Sequence, residues 1–251
     1  MRKQALVLIN VGTTDKATMS RPFMQRYCDR YDLDFIEITK ASLDLRGGDP
    51  DYTYLNFEKF QALDLLVDYE RMLRLDTDVF VSPEAPNVFD CVPADQLGVV
   101  FEDYGDRRYR RQRDMERVAD AFGGDAWGDR RYFNSGVMVF SRVHREAFLL
   151  TATDRALIEQ GALGRPKEQN LCNWKARQGG CSLFELDYRF NHMSLFSNRW
   201  TGSPHRLGSY FIHYAGSQQR KARRMVRDHA RLASAWAAGK SPLPWYRQSR
   251  K

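Results

Sequence analysis

The 251-residue sequence has no apolar run long enough to cross a bilayer. Its first, ALVLIN at residues 5–10, is short and lacks a small-residue cleavage site behind it, so no secretory leader is expected. Cysteine is scarce: four residues, at 28, 91, 172 and 181, form neither a Cys-x-x-Cys pair nor a zinc-ligand spacing. They read as reduced thiols of a cytoplasmic protein. Internal repeats, low-complexity linkers and an evident domain boundary are missing too, which excludes solenoids and flexible arrays. Acid is almost absent from one stretch only. From Ser217 to Lys251 ten Lys/Arg face a single Asp228, a local balance of +9, whereas the remainder carries 29 basic against 31 acidic groups. The net charge of +7 therefore describes a tail and not the body. That tail is expected to meet something anionic: a membrane surface, an acidic partner or nucleic acid.

What is present fits a soluble α/β enzyme. With 43% hydrophobic and 28% charged residues, the chain is ordinary in composition and long enough for one large domain with a full core. Short apolar runs (QALVLIN, LDFIEI, the run before Asp76, LGVVF, SGVMVFS, SLFEL, SYFIHY) read as strands. Helical spacing separates several of them. Residues 20–31 open with Ser20 as a cap and Pro22 in the first turn, and place Phe23, Tyr27 and Tyr31 four apart. Phe57, Phe60, Leu63 and Val67 predict a helix over 57–68, and two more are expected near 143–160 and 167–178. Strands alternating with helices predict a largely parallel central sheet. Residues 102–131, with eight Arg against eight Asp/Glu, form a charged excursion of the size of a functional loop or helical flap. Residues 218–238 place Ala222, Met225, Val226, His229, Leu232, Ala233 and Trp236 on one helical face. The expected division is a domain over 1–216 and a basic amphipathic helix and tail over 217–251.

Three Asp-x-Asp pairs compete for attention. Asp32 and Asp34 flank Leu33 at a helix-to-strand turn, and Asp49-Pro50-Asp51 follows two glycines; both are turns by composition. Asp76 and Asp78 instead interrupt an apolar strand at its C-terminal end, the edge where open α/β sheets bind ligands. Two carboxylates this close raise each other's pKa and resist desolvation, and a divalent cation meets that cost. The plainer reading of the pair is a turn cap. In the same way His213, taken alone, reads as a core histidine.

The segments RLDTDVFV, YFNSGVMVF, EQNLCNW, LDYRFNHM and FIHYAG, in this order, resemble glycosyltransferase family 8, the retaining galactosyl- and glucosyltransferases. The resemblance covers about residues 55–216. It implies a GT-A-type αβα sandwich with a mostly parallel, nucleotide-binding sheet, Mn²⁺ or Mg²⁺, and a nucleotide-sugar donor, a UDP-sugar in most members. Carried over by position, Asp76, Asp78 and His213 hold the metal, and Asp76 also contacts the donor's ribose. Asn10, Val11 and Gly12 receive the nucleobase. Lys59 stands where the family has an arginine on the donor, keeping the charge but not the bidentate fork. Asn134, Glu168 and Gln169 match residues around the donor sugar and its anomeric carbon. Gly216 matches the glycine of the family's His-x-x-Gly-x-x-Lys-Pro-Trp, but Gln219 occupies the lysine position and the Pro-Trp is absent, so Arg220 or Lys221 is expected to reach the phosphates. The acceptor is a sugar or another hydroxyl compound, with 102–131 shaping its site.

Two other classes compete. A sugar-nucleotidyltransferase would need a Gly-rich phosphate loop after the first strand, and NVGTTDK has one glycine. A nucleic-acid-binding or nucleic-acid-modifying protein would use the basic tail, whose arginines on an amphipathic helix equally fit peripheral contact with anionic lipid.

Overall fold

Along the first strand, side-chain alternation sets the layering: Leu6 and Leu8 enter one core, while Ala5, Val7 and Ile9 enter the other. A strand buried on both faces is an inner strand of a covered sheet. The computed structural model describes residues 3–12, 14–45, 53–164, 167–197, 205–216 and 218–242, without the side chains of 14, 53 and 218–220. The Asp49–Asp51 turn lies outside the described residues. In chain order the strands are β1 (Gln4–Ile9), β2 (Asp34–Ile38), β3 (Arg71–Leu75), β4 (Val79–Val81), β5 (Leu97–Phe101), β6 (Phe133–Ser141), β7 (Leu183–Glu185) and β8 (Phe211–His213). The α-helices are α1 (Thr14–Tyr31), α2 (Val88–Cys91), α3 (Asp106–Phe122), α4 (Arg145–Phe148), α5 (Ala152–Glu159), α6 (Lys167–Gln178) and α7 (Gln218–Ala238).

Six strands form one sheet in the order β2-β1-β3-β6-β5-β7, and β4 pairs with β8 in a second. In the large sheet β2, β1 and β3 run parallel, as do β5 and β7; β6 is antiparallel to both its neighbours. The predicted mostly parallel sheet is thus correct. One core packs α1, the β4–β8 pair and α7 on one face; the other packs a 3-10 helix, α3, α5 and α6 on the opposite face. The result is an αβα sandwich. All four cysteines are free thiols.

Three local readings need correction. Helix α1 begins at Thr14, upstream of the Ser20–Pro22 pair expected to start it. Ser20 is fully buried, its hydroxyl donating to the Ala17 carbonyl at 3.4 Å, and Pro22 lies inside the helix. Burial of Phe23, Met24 and Tyr27 from the same helix offsets the cost of an internal proline, about 3 kcal/mol. Second, residues Thr53–Val67 form a 3-10 helix. Its period of three residues puts Phe57, Phe60, Leu63 and Leu66 in the core, while Val67, chosen on an α-helical period, is 61% exposed. Third, most of the apolar face of α7 is covered by the rest of the fold. Met225 and Leu232 are fully buried, Trp236 donates its indole N–H to the Val81 carbonyl at 2.9 Å, and Asp228 is buried against Arg206 and the Tyr214 hydroxyl. Helix α7 packs on α1, with Arg223, Arg227 and Arg231 exposed, and of the predicted apolar face Ala222 and Val226 are exposed as well. No helix among the described residues is long and apolar enough to cross a membrane.

Candidate active site

Strand direction brings the predicted residues to one edge. β1 and β3 are parallel, so Asn10–Gly12 and Asp76 leave the sheet at the same end. β6 is antiparallel and therefore starts there, and the Asp76 N–H donates to the Gly136 carbonyl at 2.9 Å. Register in the small sheet sets Val79 opposite His213, and the Tyr214 N–H reaches the Asp78 carbonyl at 2.9 Å. The first turn of α6 supplies Glu168 and Gln169. The separation in sequence, 17 residues for Lys59–Asp76 and 109 for Lys59–Glu168, disappears at this edge.

Ligand atoms of Asp76, Asp78 and His213 lie within 4.8 Å of one another. A chain of hydrogen bonds fixes the histidine's tautomer, starting from a backbone donor whose role is unambiguous. The Gly136 N–H donates to Asn134 Oδ1 at 2.9 Å, so Asn134 presents Nδ2 to the Glu102 carboxylate. Asn191 must then offer Nδ2 to the same Asn134 Oδ1, at 3.0 Å, which turns its own Oδ1 toward His213 Nδ1 at 2.8 Å. Nδ1 is therefore the N–H, and Nε2 faces Asp78 Oδ1 at 3.4 Å. A lone pair opposite a carboxylate oxygen repels it unless a cation or proton lies between. Two oxygens and one oriented imidazole fit a divalent ion of the Mn²⁺ type, with Asn191 as the buried partner that holds the ring. Gly136 is required for this closeness: a Cβ there would meet His213 Cε1 at 2.2 Å.

Cations surround the carboxylates. Lys59, expected on sequence grounds to be either a donor contact or a solvated helix lysine, is buried, with its ammonium 2.8 Å from both Asp76 and Glu168. Burial opposes its charge, but those two carboxylates outweigh burial and hold its pKa above the ordinary lysine value. Burial would likewise raise Glu168, yet Lys59, at hydrogen-bond distance, keeps it below the ordinary glutamate value. Burial would raise Asp78, but the ion pair with Lys221 helps to hold its pKa below the ordinary aspartate value. Lys221 forms an ion pair with Asp78. The Arg220 side chain and Gln219 side chain lie outside the described residues. Lys16, near the start of α1, carries no mark in the sequence. Burial, then Lys221, lower its pKa, with Asp78 and Asp76 acting in the opposite sense.

Gln169 and Asn134 sit in a polar cluster. The Ser135 N–H donates to Gln169 Oε1 at 3.1 Å, and Asn134 Nδ2 reaches the same oxygen at 2.9 Å. Gln169 Nε2 donates to the Tyr132 hydroxyl at 3.0 Å, and Ser135 Oγ donates to Glu168 at 2.7 Å. Asn134 lies inside β6. Glu102, Tyr132, Ser135 and Asn191 complete the cluster; in sequence Tyr132, Ser135 and Asn191 fall inside the quoted segments and Glu102 opens the charged excursion, with nothing else to mark them. Asn10 donates to Glu37 through Nδ2 at 2.8 Å, and its buried Oδ1 has no partner. Gly12 has φ +72° and packs its α-carbon against Leu55, where a Cβ would meet Cδ1 at 2.5 Å. Val11 is buried between them. Gly216, φ +112°, lies just past β8. The rival carboxylates are structural: Asp34 accepts from the Tyr69 hydroxyl at 2.6 Å, Asp32 turns at φ +52°, and Asp187 pairs with Arg189 at 3.0 Å.

The family model described as glycosyl transferase family 8 matches residues 20–220. No curated protein sequence matches the chain. Among solved structures, a glycosyltransferase involved in glycosylation of the major capsid of PBCV-1 superposes with TM-score 0.60 at 16% identity, covering 89% of this chain and 99% of that one. The galactosyltransferase LgtC, in complex with donor and acceptor sugar analogues, gives TM-score 0.54 at 15% identity over 98% of this chain and 100% of that one. An active-site mutant of LgtC gives TM-score 0.61 at 12% identity over the same shares. At these identities the structures establish a shared GT-A fold.

Proposed function

The chain belongs to glycosyltransferase family 8, and from that premise we propose that it moves a hexose from a UDP-sugar to a hydroxyl acceptor with retention of configuration and a divalent cation. The observation that carries this is the convergence of Asp76, Asp78 and the Nε2 lone pair of His213 at the C-terminal edge of the parallel strands. These three residues would hold Mn²⁺ or Mg²⁺. When bound, that ion stabilises negative charge gathering on the diphosphate.

The protein's own residues do the rest. Asn10 Oδ1, buried without a partner, can accept an imide N–H, the group uracil offers and cytosine lacks. Val11 and Gly12 form the floor beside it, and Asp76 contacts the ribose. Lys59 holds Asp76 and Glu168 in place and adds positive charge next to the donor. Lys221, now paired with Asp78, with Arg220 and the turn at Gly216, supplies the cations toward the diphosphate that the missing family lysine would give. Glu168 meets the sugar's hydroxyls, and Asn134 and Gln169 line the anomeric position.

What lies near that position supports retention: Glu168 is held by Lys59 and the Ser135 hydroxyl. Gln169 is a neutral amide and cannot deprotonate an acceptor on the opposite face. Asp187 is committed to Arg189. The bond from the anomeric carbon to the phosphate oxygen breaks and the bond to the acceptor oxygen forms on the same face. The acceptor's proton passes to the departing diphosphate. Proton NMR of the first-formed product from an α-linked UDP-sugar tests this: the α-anomer with stoichiometric UDP is expected, and a β-anomer or pyrophosphate release would overturn it.

A further inference from the structure

Helix α3 carries its charge unevenly. Met115, Val118 and Ala119 face the core, and Phe122 stacks on Trp174 at 5.1 Å. On its outer side Arg107, Arg110, Arg111, Arg113 and Arg117, with Asp114, line one cavity of about 390 Å³. Arginines at 107 and 110, 107 and 111, 110 and 113, and 113 and 117 stand three or four residues apart, the spacing at which like charges destabilise a helix. Arg111 is answered by Glu102 at 2.6 Å and Asp114 at 3.3 Å, and Arg107 by Glu102 at 3.9 Å. Arg110, Arg113 and Arg117 have no carboxylate partner among the described residues. A helix held in this arrangement presents guanidinium forks suited to an oxyanion.

Hydrogen bonds tie this arginine face to the residues around the reaction centre. Glu102 is buried, and its two oxygens face opposite ways: one accepts from Arg111, the other from Asn134 at 2.9 Å. Asn134 in turn reaches Gln169 at 2.9 Å. One carboxylate thus joins the arginine wall to the residues around the anomeric position. The carboxylates Asp76 and Asp78, with Lys59 and Lys221, form a separate cluster, which is where the diphosphate is placed.

We propose that the acceptor carries a phosphate or carboxylate group that seats in the α3 arginine cavity while its hydroxyl reaches the donor sugar past Glu102. This names the acceptor class of the transferase reading and rests on it. Repulsion among the arginines is relieved when the anion binds, and Glu102 keeps Asn134 oriented as the anion settles on Arg111's neighbours.

The test is calorimetric titration of glucose 6-phosphate, glucuronic acid and glucose into the full chain and into an R110Q/R113Q/R117Q variant. These three side chains lie outside the reaction centre and are exposed, so the variant is expected to fold. The charged sugars should bind the wild type and glucose should not. The variant should bind them at least tenfold more weakly, the loss of one or more charge-assisted contacts. UDP binding with Mn²⁺ should be the same in both proteins. Glucose 6-phosphate that still binds Asp76→Ala after UDP binding is lost supports two separate sites. Equal affinity for glucose and glucose 6-phosphate, or unchanged affinity in the variant, would overturn the proposal. So would a parallel loss of UDP binding, which would make the cavity a donor site, or tighter binding of a mixed-sequence single-stranded oligonucleotide than of the phosphosugars. Failure of wild-type UDP binding contradicts the transferase reading itself, and the phosphosugar titration then judges the cavity independently.

Discussion

Replacing Asn191 by Leu removes the one acceptor that fixes the His213 ring. Asn191 is fully buried, with bonds of 2.8 Å to His213 Nδ1 and 3.0 Å to Asn134 Oδ1. Asn134 Oδ1 keeps the Gly136 N–H, so the group left unpaired is the His213 N–H. An unsatisfied buried donor costs about 1–3 kcal/mol. That corresponds to roughly 10–100-fold in metal affinity, the range typical of lost partners behind a metal ligand. Restoring the acceptor separates orientation from packing: Asn191→Asp keeps an oxygen opposite Nδ1 but sets its other oxygen against Asn134 Oδ1, so it should recover part of the affinity. The assay is Mn²⁺ titration followed by electron paramagnetic resonance, with thermal melting to confirm the fold. Wild-type Mn²⁺ affinity in Asn191→Leu would refute the tautomer argument, and equal losses in both variants would reduce Asn191 to a packing residue.

Gly136→Ala places a methyl 2.2 Å from His213 Cε1 and should weaken Mn²⁺ binding at least tenfold in the same titration, with the melting curve shifted but cooperative. Arg206→Ala removes the closer guanidinium from the fully buried Asp228, leaving Arg227 at 3.5 Å and the Tyr214 hydroxyl, and should cost about 3 kcal/mol in urea unfolding; a loss under 1 kcal/mol would show that this pair does not anchor α7. His192 is buried between the Ser209 and Ser197 hydroxyls, and burial with nearby Arg206 and His205 lowers its pKa from 6.5 to about 4. The unfolded chain therefore takes up this proton near pH 6.5 and the folded chain not until about 4, so stability falls as the pH drops through that window, by about 3 kcal/mol in all. In His192→Gln the pH dependence of unfolding between 6.5 and 4 should be flatter by that amount, and parallel curves for the two proteins would contradict it.

How far the sequence carries depends on how local the signal is. β1 and β3 are legible because both faces are buried, so their runs are apolar without interruption, and a strand that breaks into Asp76-x-Asp78 announces the edge. The 3-10 helix is legible as a helix through Phe57, Phe60 and Leu63, but its fourth contact is Leu66 and not Val67, because periods of 3.0 and 3.6 diverge only after several residues. Pro22 misled because a proline at a helix start and one tolerated inside a buried turn look alike in sequence. In α7 the amphipathic pattern is real, yet a pattern says that an apolar face is covered and not by what; here α1 and β4 cover it. Asp76, Asp78 and His213 could be named from spacing and resemblance. Glu102 and Asn191 could not, since each acts through Asn134 across 32 and 57 residues of chain, and a lone polar residue in an apolar segment carries no mark of its partner.

The measurement closest to the central claim is calorimetric titration of UDP in Mn²⁺ and in EDTA, on the wild type and on Asp76→Ala, Asp78→Ala and the control Asp32→Ala. UDP should bind the wild type and the control only when Mn²⁺ is present, and a hundredfold excess over Kd should stabilise both by about 2.7 kcal/mol. The two site variants should fold and fail to bind. UDP binding of equal strength in EDTA, or undiminished in both site variants, would contradict the assignment of Asp76, Asp78 and His213 as the metal and nucleotide site.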